Sequence, residues 1–367
     1  MKVDFFSLDN QYQNIKQEIS KEINKVLENQ SFILGNKVEE FENKFAKMHN
    51  AKYCVALNSG TAALHTALSI LGVKNTDEVL VPTNSFFSTA EAVSIAGAKP
   101  VLVDTDKDYF HIDLEDAKKK LTKKTKFIIP VHLYGNPVNM QKLRKFANEH
   151  NLQIIEDCAQ AHLATFKDKF VGNFGKVGCF SFYPSKNLGA YGEGGAIITN
   201  NKSLYQKALM FRNHGSNKRY YHEFIGHNYR LNGIQGAVLN VKLKYIDQFT
   251  NKRIELANIY HQYITESEYL SLPKVRKDVK HVYHLFVIRH KNRNNLSSYL
   301  SKNLIGTSLH YPVPIHKQKA YKSNKYIKMT SENTANEILS LPMYPELSID
   351  QVKYVSEKIN NYNNVKH

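Results

Sequence analysis

The 367-residue chain has only three cysteines (Cys54, Cys158 and Cys179), and no two of them stand in a CxxC pair. An odd, sparse set without that spacing excludes a disulfide framework and a structural zinc site, which leaves reduced, mostly buried thiols. No apolar run reaches membrane-spanning length. The opening MKVDFFSLDN has acids at Asp4 and Asp9 where a secretory signal would be basic and then apolar. The expectation is a cytoplasmic protein with no membrane partner. Acidic residues are also in deficit, 33 against 50 Lys and Arg, for a net charge of +17. That excess raises nucleic-acid binding. The lysines are spread along the chain, however, with short clusters such as KKKLTKKTK at Lys118 to Lys126, and no nucleic-acid motif accompanies them. A solvated basic surface, attractive to phosphorylated ligands, is the expectation, and nucleic acid is not an expected partner. Internal repeats and low-complexity linkers are missing as well.

What is present is a regular alternation. Ile15, Ile19, Ile23 and Leu27 recur at four-residue steps, and Val38, Phe41, Phe45 and Met48 mark a second amphipathic helix. From Tyr53 short apolar runs (YCVAL, EVLVP, KPVLVD, KFIIPVH, QIIED) alternate with helical stretches such as TAALHTALSIL and MQKLRKFANEH. Continuous apolar strands separated by helices predict an α/β fold with a mostly parallel sheet covered on both faces. After a long helix beginning near Ile234, HLFVIR and TSLHYPVPIH predict a smaller α+β domain. We place the large domain at 1–246 and the small one at 247–367.

Ligands of such sheets sit at the carboxyl ends of the strands, so the residues just after each run carry the functional expectation. NSGT, after YCVAL, opens a helix with Ser59, Gly60 and Thr61, a cradle for phosphate, although Ser and Thr there also serve as ordinary caps. TNSFF, after EVLVP, offers Phe86 or Phe87 to stack on a planar ring or to fill the core. Asp157, after QIIE, is a carboxylate at the end of a buried strand that needs a cation, a donor or a cap role, and Gln160 follows three residues on. Lys186 lies in FSFYPSKNLGAYGEGG, where flanking strands would desolvate it and lower its pKa. A phosphate cradle, a stacking aromatic, a buried carboxylate and an activated amine together match what pyridoxal 5′-phosphate requires. The lysine carries the cofactor, the carboxylate keeps the ring nitrogen protonated, and the amide donates to the phenolic oxygen.

Those segments, with PVHLYG, GHNYRLNGIQGAVLNVKL and HYPVPIHKQKAY, give the chain a resemblance to the DegT–DnrJ–StrS family of nucleotide-sugar aminotransferases over nearly its whole length. The resemblance implies the fold type I architecture of aspartate aminotransferase and pyridoxal 5′-phosphate as cofactor. It implies that Lys186 is the cofactor-linked lysine, that Asp157 meets the ring nitrogen and Gln160 the phenolic oxygen. Gly60, Thr61 and Ser181, with Ser59, would hold the phosphate, and Phe86 would stack. Asn228, in GHNYRL, matches the asparagine that reaches the neighbouring subunit's cofactor, which implies a homodimer with shared active sites. One departure is visible: HLA at His162 to Ala164, where HGA is common, expected to move backbone near the ring and spare the chemistry.

The implied partners are L-glutamate as amino donor and a nucleotide-linked keto-sugar as acceptor. Tyr183, His310, Tyr311 and His316 are the expected substrate wall. Prolines at Pro312 and Pro314 stiffen the last three, although the same segment could equally be a rigid connector. The HYPVP-and-His pattern looks more like that of sugar 3-aminotransferases, which implies a dTDP-3-keto-6-deoxyhexose and amination at carbon 3, within glycan or lipopolysaccharide biosynthesis. A 4-keto-6-deoxy or UDP-3-keto sugar is the alternative. A related sugar dehydratase would carry histidine in place of Lys186, and a non-catalytic regulatory protein would not need the intact Asp157, Gln160 and Lys186 set.

Overall fold

The computed structural model describes residues 1–321 and 329–366. Its centre is a seven-stranded sheet in the order Tyr53–Leu57, Gly195–Thr199, Val177–Ser181, Gln153–Asp157, Thr125–Ile128, Glu78–Pro82, Lys99–Val103. Gly195–Thr199 runs antiparallel to both its neighbours, Tyr53–Leu57 at the edge and Val177–Ser181, and the five strands from Val177–Ser181 onward pair with one another in parallel. The apolar runs form these strands because both faces are covered, so neither needs polar side chains. On one face the helix Gly60–Ile70 packs Ala63, Leu64 and Leu68 onto Val55, Val79 and Ile155. On the other, Phe41 and Phe45 of the helix Asn36–Met48 meet Phe180 and Phe182 edge-on, with centroids 5.1 to 5.3 Å apart.

A smaller antiparallel sheet of Leu270–Ser271, Phe286–His290 and Ile338–Leu341 lies against the helices Ile246–Tyr263, Arg293–Lys302 and Ile349–Lys366. Its cluster, built around Tyr260, Phe286, Leu339 and Ile359, also takes in Val3. Val3 is tied there by backbone bonds with Leu304 (2.9 Å) and Gly306 (2.8 Å), so the first residues pack with this sheet and not with the large one.

Two local expectations change. The four-residue steps of the first helix, Asp9–Glu28, outrun its 3.6-residue period: Ile15, Ile19 and Val26 are buried while Leu27 is 48% exposed. The long helix after Ile234 is two helices, Gly233–Leu243 and Ile246–Tyr263. The break at Lys244 and Tyr245 is fixed from outside the segment, since Glu18 of the first helix accepts from Lys244 Nζ (2.6 Å) and from the Tyr245 hydroxyl. Among the described residues no helix is long and apolar enough to cross a membrane.

Candidate active site

At the carboxyl edge of the large sheet, the turn after Tyr53–Leu57 passes directly over the ends of two other strands. A Cβ on Gly60 would sit 2.7 Å from Ser181 Cβ, and one on Gly195 would sit 2.2 Å from the Ser59 carbonyl oxygen. Both glycines are therefore required by close approach, and the approach brings Gly60 against Ser181. The helix Gly60–Ile70 starts there and points its first N–H groups at the edge of the sheet. Ser59 Oγ accepts from Ala62 N at 3.0 Å, so its hydroxyl is engaged as the N-cap. Thr61 Oγ1 donates to Ser88 Oγ at 2.8 Å, and Ser181 Oγ accepts from Tyr183 N at 3.3 Å.

Asp157 ends the central strand and is buried. Its Oδ1 accepts from Ala159 N (3.1 Å) and its Oδ2 from Thr89 Oγ1 (2.9 Å), and Ser85 Oγ in turn lies 2.8 Å from Thr89 Oγ1. Burial raises the Asp157 carboxyl, against those two bonds and the pull of Lys186. Lys186 lies in the loop after Val177–Ser181, half-buried, with its backbone N–H donating to Tyr183 O at 2.9 Å. Desolvation lowers its amine to about 8, opposed only by Asp157. The neighbouring Asn187 secures the loop by donating to Val282 O at 3.0 Å. The pair thus holds an amine close to neutral-pH titration and a carboxyl that gains from a cationic N–H beside it.

Gln160 Oε1 accepts from Tyr134 N at 2.6 Å, and its Nε2 donates to Tyr311 OH at 3.1 Å. The Tyr134 hydroxyl donates to the His310 carbonyl, and His310 Nδ1 lies 2.8 Å from Ser340 Oγ. Burial lowers the His310 imidazole to about 4, with Lys186 adding to it, so the ring is neutral. Phe86 is 56% exposed, with its ring 5.7 Å from the Tyr311 ring. Tyr183 is likewise half-exposed.

His316 does not join this group. It is 1% exposed with Nε2 3.0 Å from Glu332 Oε1, beside Ile315, whose N–H docks on Thr83 O at 2.9 Å. It ties the 308–321 segment to the helix Thr330–Glu337, the connector role that its sequence context left open. Asn228 is exposed on a loop held by Asn58, which donates from its Nδ2 to Asn228 O at 3.4 Å; its Oδ1 accepts from Arg230 Nε at 3.0 Å. At the HLA departure, Leu163 itself adopts a left-handed backbone (φ +61°) with its side chain buried in the aromatic cluster. A glycine takes that conformation freely, so Leu163 holds a backbone shape that the more usual HGA would adopt without strain.

Two contributors escaped the sequence reading. Thr89 lies inside the helix Ser88–Ile95, and the strand-end logic stopped at the residues before it. Tyr134, in PVHLYG, acts partly through its backbone N–H, which leaves no residue signature. Among the described residues His132, Glu156 and Cys158 form the one metal-like cluster. Two of its three members are already engaged: Glu156 accepts from Gly172, Phe174 and Gly175 N–H groups (2.7 to 2.8 Å) and pairs with His132 Nε2 at 3.2 Å. His132 Nδ1 accepts from Val138 N at 3.0 Å, so the cluster reads as a structural knot.

A glycine-clamped helix start beside Ser181, a buried carboxylate and a depressed amine on a mostly parallel sheet fit pyridoxal 5′-phosphate, and they define a fold type I pyridoxal-phosphate-dependent aminotransferase. The DegT/DnrJ/EryC1/StrS aminotransferase family profile matches residues 13–360, and the chain belongs to that family. It is 41% identical to the dTDP-3-amino-3,6-dideoxy-alpha-D-galactopyranose transaminase of Aneurinibacillus thermoaerophilus, covering 95% of this chain and 96% of that one. It is 40% identical to a Geobacillus stearothermophilus protein named a pleiotropic regulatory protein, over 98% of both chains. Among solved structures, S. venezuelae DesV in complex with a ketimine intermediate superposes with a TM-score of 0.95 at 37% identity over 98% of both chains.

Proposed function

We propose that this aminotransferase moves an amino group from L-glutamate to carbon 3 of a dTDP-linked 3-keto-6-deoxyhexose. The observation that carries the transaminase chemistry is the pairing of Lys186, its amine drawn to about 8, with a buried Asp157 at the end of the adjacent strand. When bound, pyridoxal 5′-phosphate supplies a carbonyl for amine exchange and a ring that takes up electron density from the reacting carbon. Asp157 Oδ holds a proton at the ring nitrogen. Gln160 Nε2, oriented by Tyr134, donates toward the phenolic oxygen. Gly60, Thr61 and Ser181 hold the phosphate, and Phe86 covers a face of the ring. Lys186 Nζ takes up and returns a proton at the reacting carbon, with a basicity suited to neutral pH.

The sugar assignment rests on the names of similar proteins and on the 308–316 segment, whose Tyr311 hydroxyl accepts from Gln160. A UDP-sugar reading has its own support in a 38% identical relative named UDP-N-acetyl-3-dehydro-alpha-D-glucosamine 3-aminotranferase, from Acidithiobacillus ferrooxidans, that covers 94% of both chains. Asn228, exposed on its loop, is assigned to the partner subunit's cofactor in a cytoplasmic homodimer. Competition between dTDP- and UDP-linked 3-keto and 4-keto sugars, with glutamate as donor and NMR of the product, tests the assignment. Amination mainly at carbon 4, or only of UDP-sugars, overturns it and leaves the aminotransferase class standing.

A further inference from the structure

The amide of Gln160 is held in one orientation. Tyr134 N is a backbone donor and can only give its proton, so the atom 2.6 Å away is the carbonyl oxygen Oε1. The other end, Nε2, therefore faces Tyr311 OH at 3.1 Å with an N–H. Since that hydroxyl accepts from the amide, its own proton points elsewhere. The Tyr311 ring leans over Phe86, 5.7 Å centroid to centroid at 46°, on the side where the ligand's flat face is assigned. The segment that carries Tyr311 is anchored at several points. Tyr134 OH donates to the carbonyl of His310, the preceding residue; Ser308 pairs with Ser340; and Ile315 N docks on Thr83 O. Burial raises the Tyr311 phenol and the Asp157 carboxylate raises it further, while Gln160 opposes, so it stays a neutral donor. The charged and titratable groups around this corner are Asp157, Lys186, Tyr134, His310 and His284.

We propose that Tyr311 and Gln160 form a two-donor clamp on one ligand oxygen, the phenolic oxygen of the cofactor, so that Tyr311 is a cofactor-contacting residue as well as part of the substrate wall. The inference rests on the pyridoxal-phosphate reading of the site. Two donors on an anionic oxygen weaken it as a base. Removing one lets that oxygen keep the proton it shares with the Lys186 nitrogen to a higher pH. Tyr311 comes from the 308–316 segment and Gln160 from the large domain, so seating that segment would also set the electronics of the cofactor.

The test is a pH titration of the visible absorbance of the holoenzyme, in wild type, in Tyr311→Phe and with 3,5-difluorotyrosine at position 311. The clamp predicts a midpoint raised by about one pH unit or more in Tyr311→Phe, the size expected for one hydrogen bond to a charged oxygen. It predicts a lowered midpoint with difluorotyrosine, a stronger donor of nearly the same shape, which decides the matter even where Tyr311→Phe folds poorly. A midpoint unmoved in chromophore-bearing protein, with only KM for the sugar altered, overturns the clamp. Wild-type protein without a Lys186-dependent chromophore defeats the cofactor reading itself, a separate outcome.

Discussion

Gly60→Ala is a single-methyl probe of the cofactor cradle. The added Cβ would stand 2.7 Å from Ser181 Cβ, closer than real Cβ atoms come, and 3.2 Å from its Oγ and 3.3 Å from its Cα, both tight contacts. Ser181 cannot retreat easily, because it is paired with Gly195 in the sheet. Overpacking of this kind costs about 1–3 kcal/mol, set against up to about 1 kcal/mol gained from alanine's better helix propensity. The net expectation is apo-protein destabilised by about 0–3 kcal/mol, with at least about tenfold weaker cofactor binding because the methyl occupies the approach to the phosphate. Urea unfolding of the apo-protein and an absorbance titration with pyridoxal 5′-phosphate read the two effects. The double variant Gly60→Ala/Ser181→Gly removes the facing Cβ, so it should recover stability with a coupling of about 1 kcal/mol or more, though not affinity, since the Ser181 hydroxyl is lost. Additive stability effects, or normal cofactor affinity in Gly60→Ala, would refute the assigned contact.

Asp157→Asn should fold and bind the phosphate while losing about two or more orders of magnitude in turnover, because an amide cannot hold the ring nitrogen protonated; near-normal turnover, measured at saturating cofactor, contradicts the role. At Leu163 the usual order should invert. Leu163→Ala loses buried apolar volume, about 2–5 kcal/mol, and keeps the left-handed strain of the φ +61° backbone, whereas Leu163→Gly recovers about 1 kcal/mol of it. Urea midpoints with glycine below alanine would count against that reading. The lowered Lys186 amine means that between about 8 and 10.5 the unfolded apo-protein holds a proton that the native one has released. Apo stability therefore gains with pH across that window, by an amount of up to about 3 kcal/mol that the side chain's partial exposure reduces. Lys186→Met should lose that increment; an unchanged slope in denaturation at pH 8 to 10.5 contradicts it.

The strands were legible because a sheet covered on both faces demands uninterrupted apolar runs, and the residues ending them follow from the way parallel sheets place ligands. Lys186, Asp157 and Gly60 were reached that way, whereas Ser181, itself the last residue of the strand Val177–Ser181, came only from the family resemblance. What local pattern does not encode is what another element imposes. The break at Lys244 depends on Glu18, more than two hundred positions away. His316 reads as a polar wall residue until Glu332 is seen against it. Gln160 is oriented by a backbone N–H, and Thr89 reaches Asp157 from within the helix Ser88–Ile95, beyond the residues that end the strand.

Borohydride reduction of the yellow holoenzyme, followed by proteolysis and mass spectrometry of the peptides, tests the central assignment most directly. The account predicts a pyridoxyl group on Lys186 alone, its label lost when L-glutamate is added before the reductant. A label on another lysine, or none in cofactor-saturated protein, would contradict it.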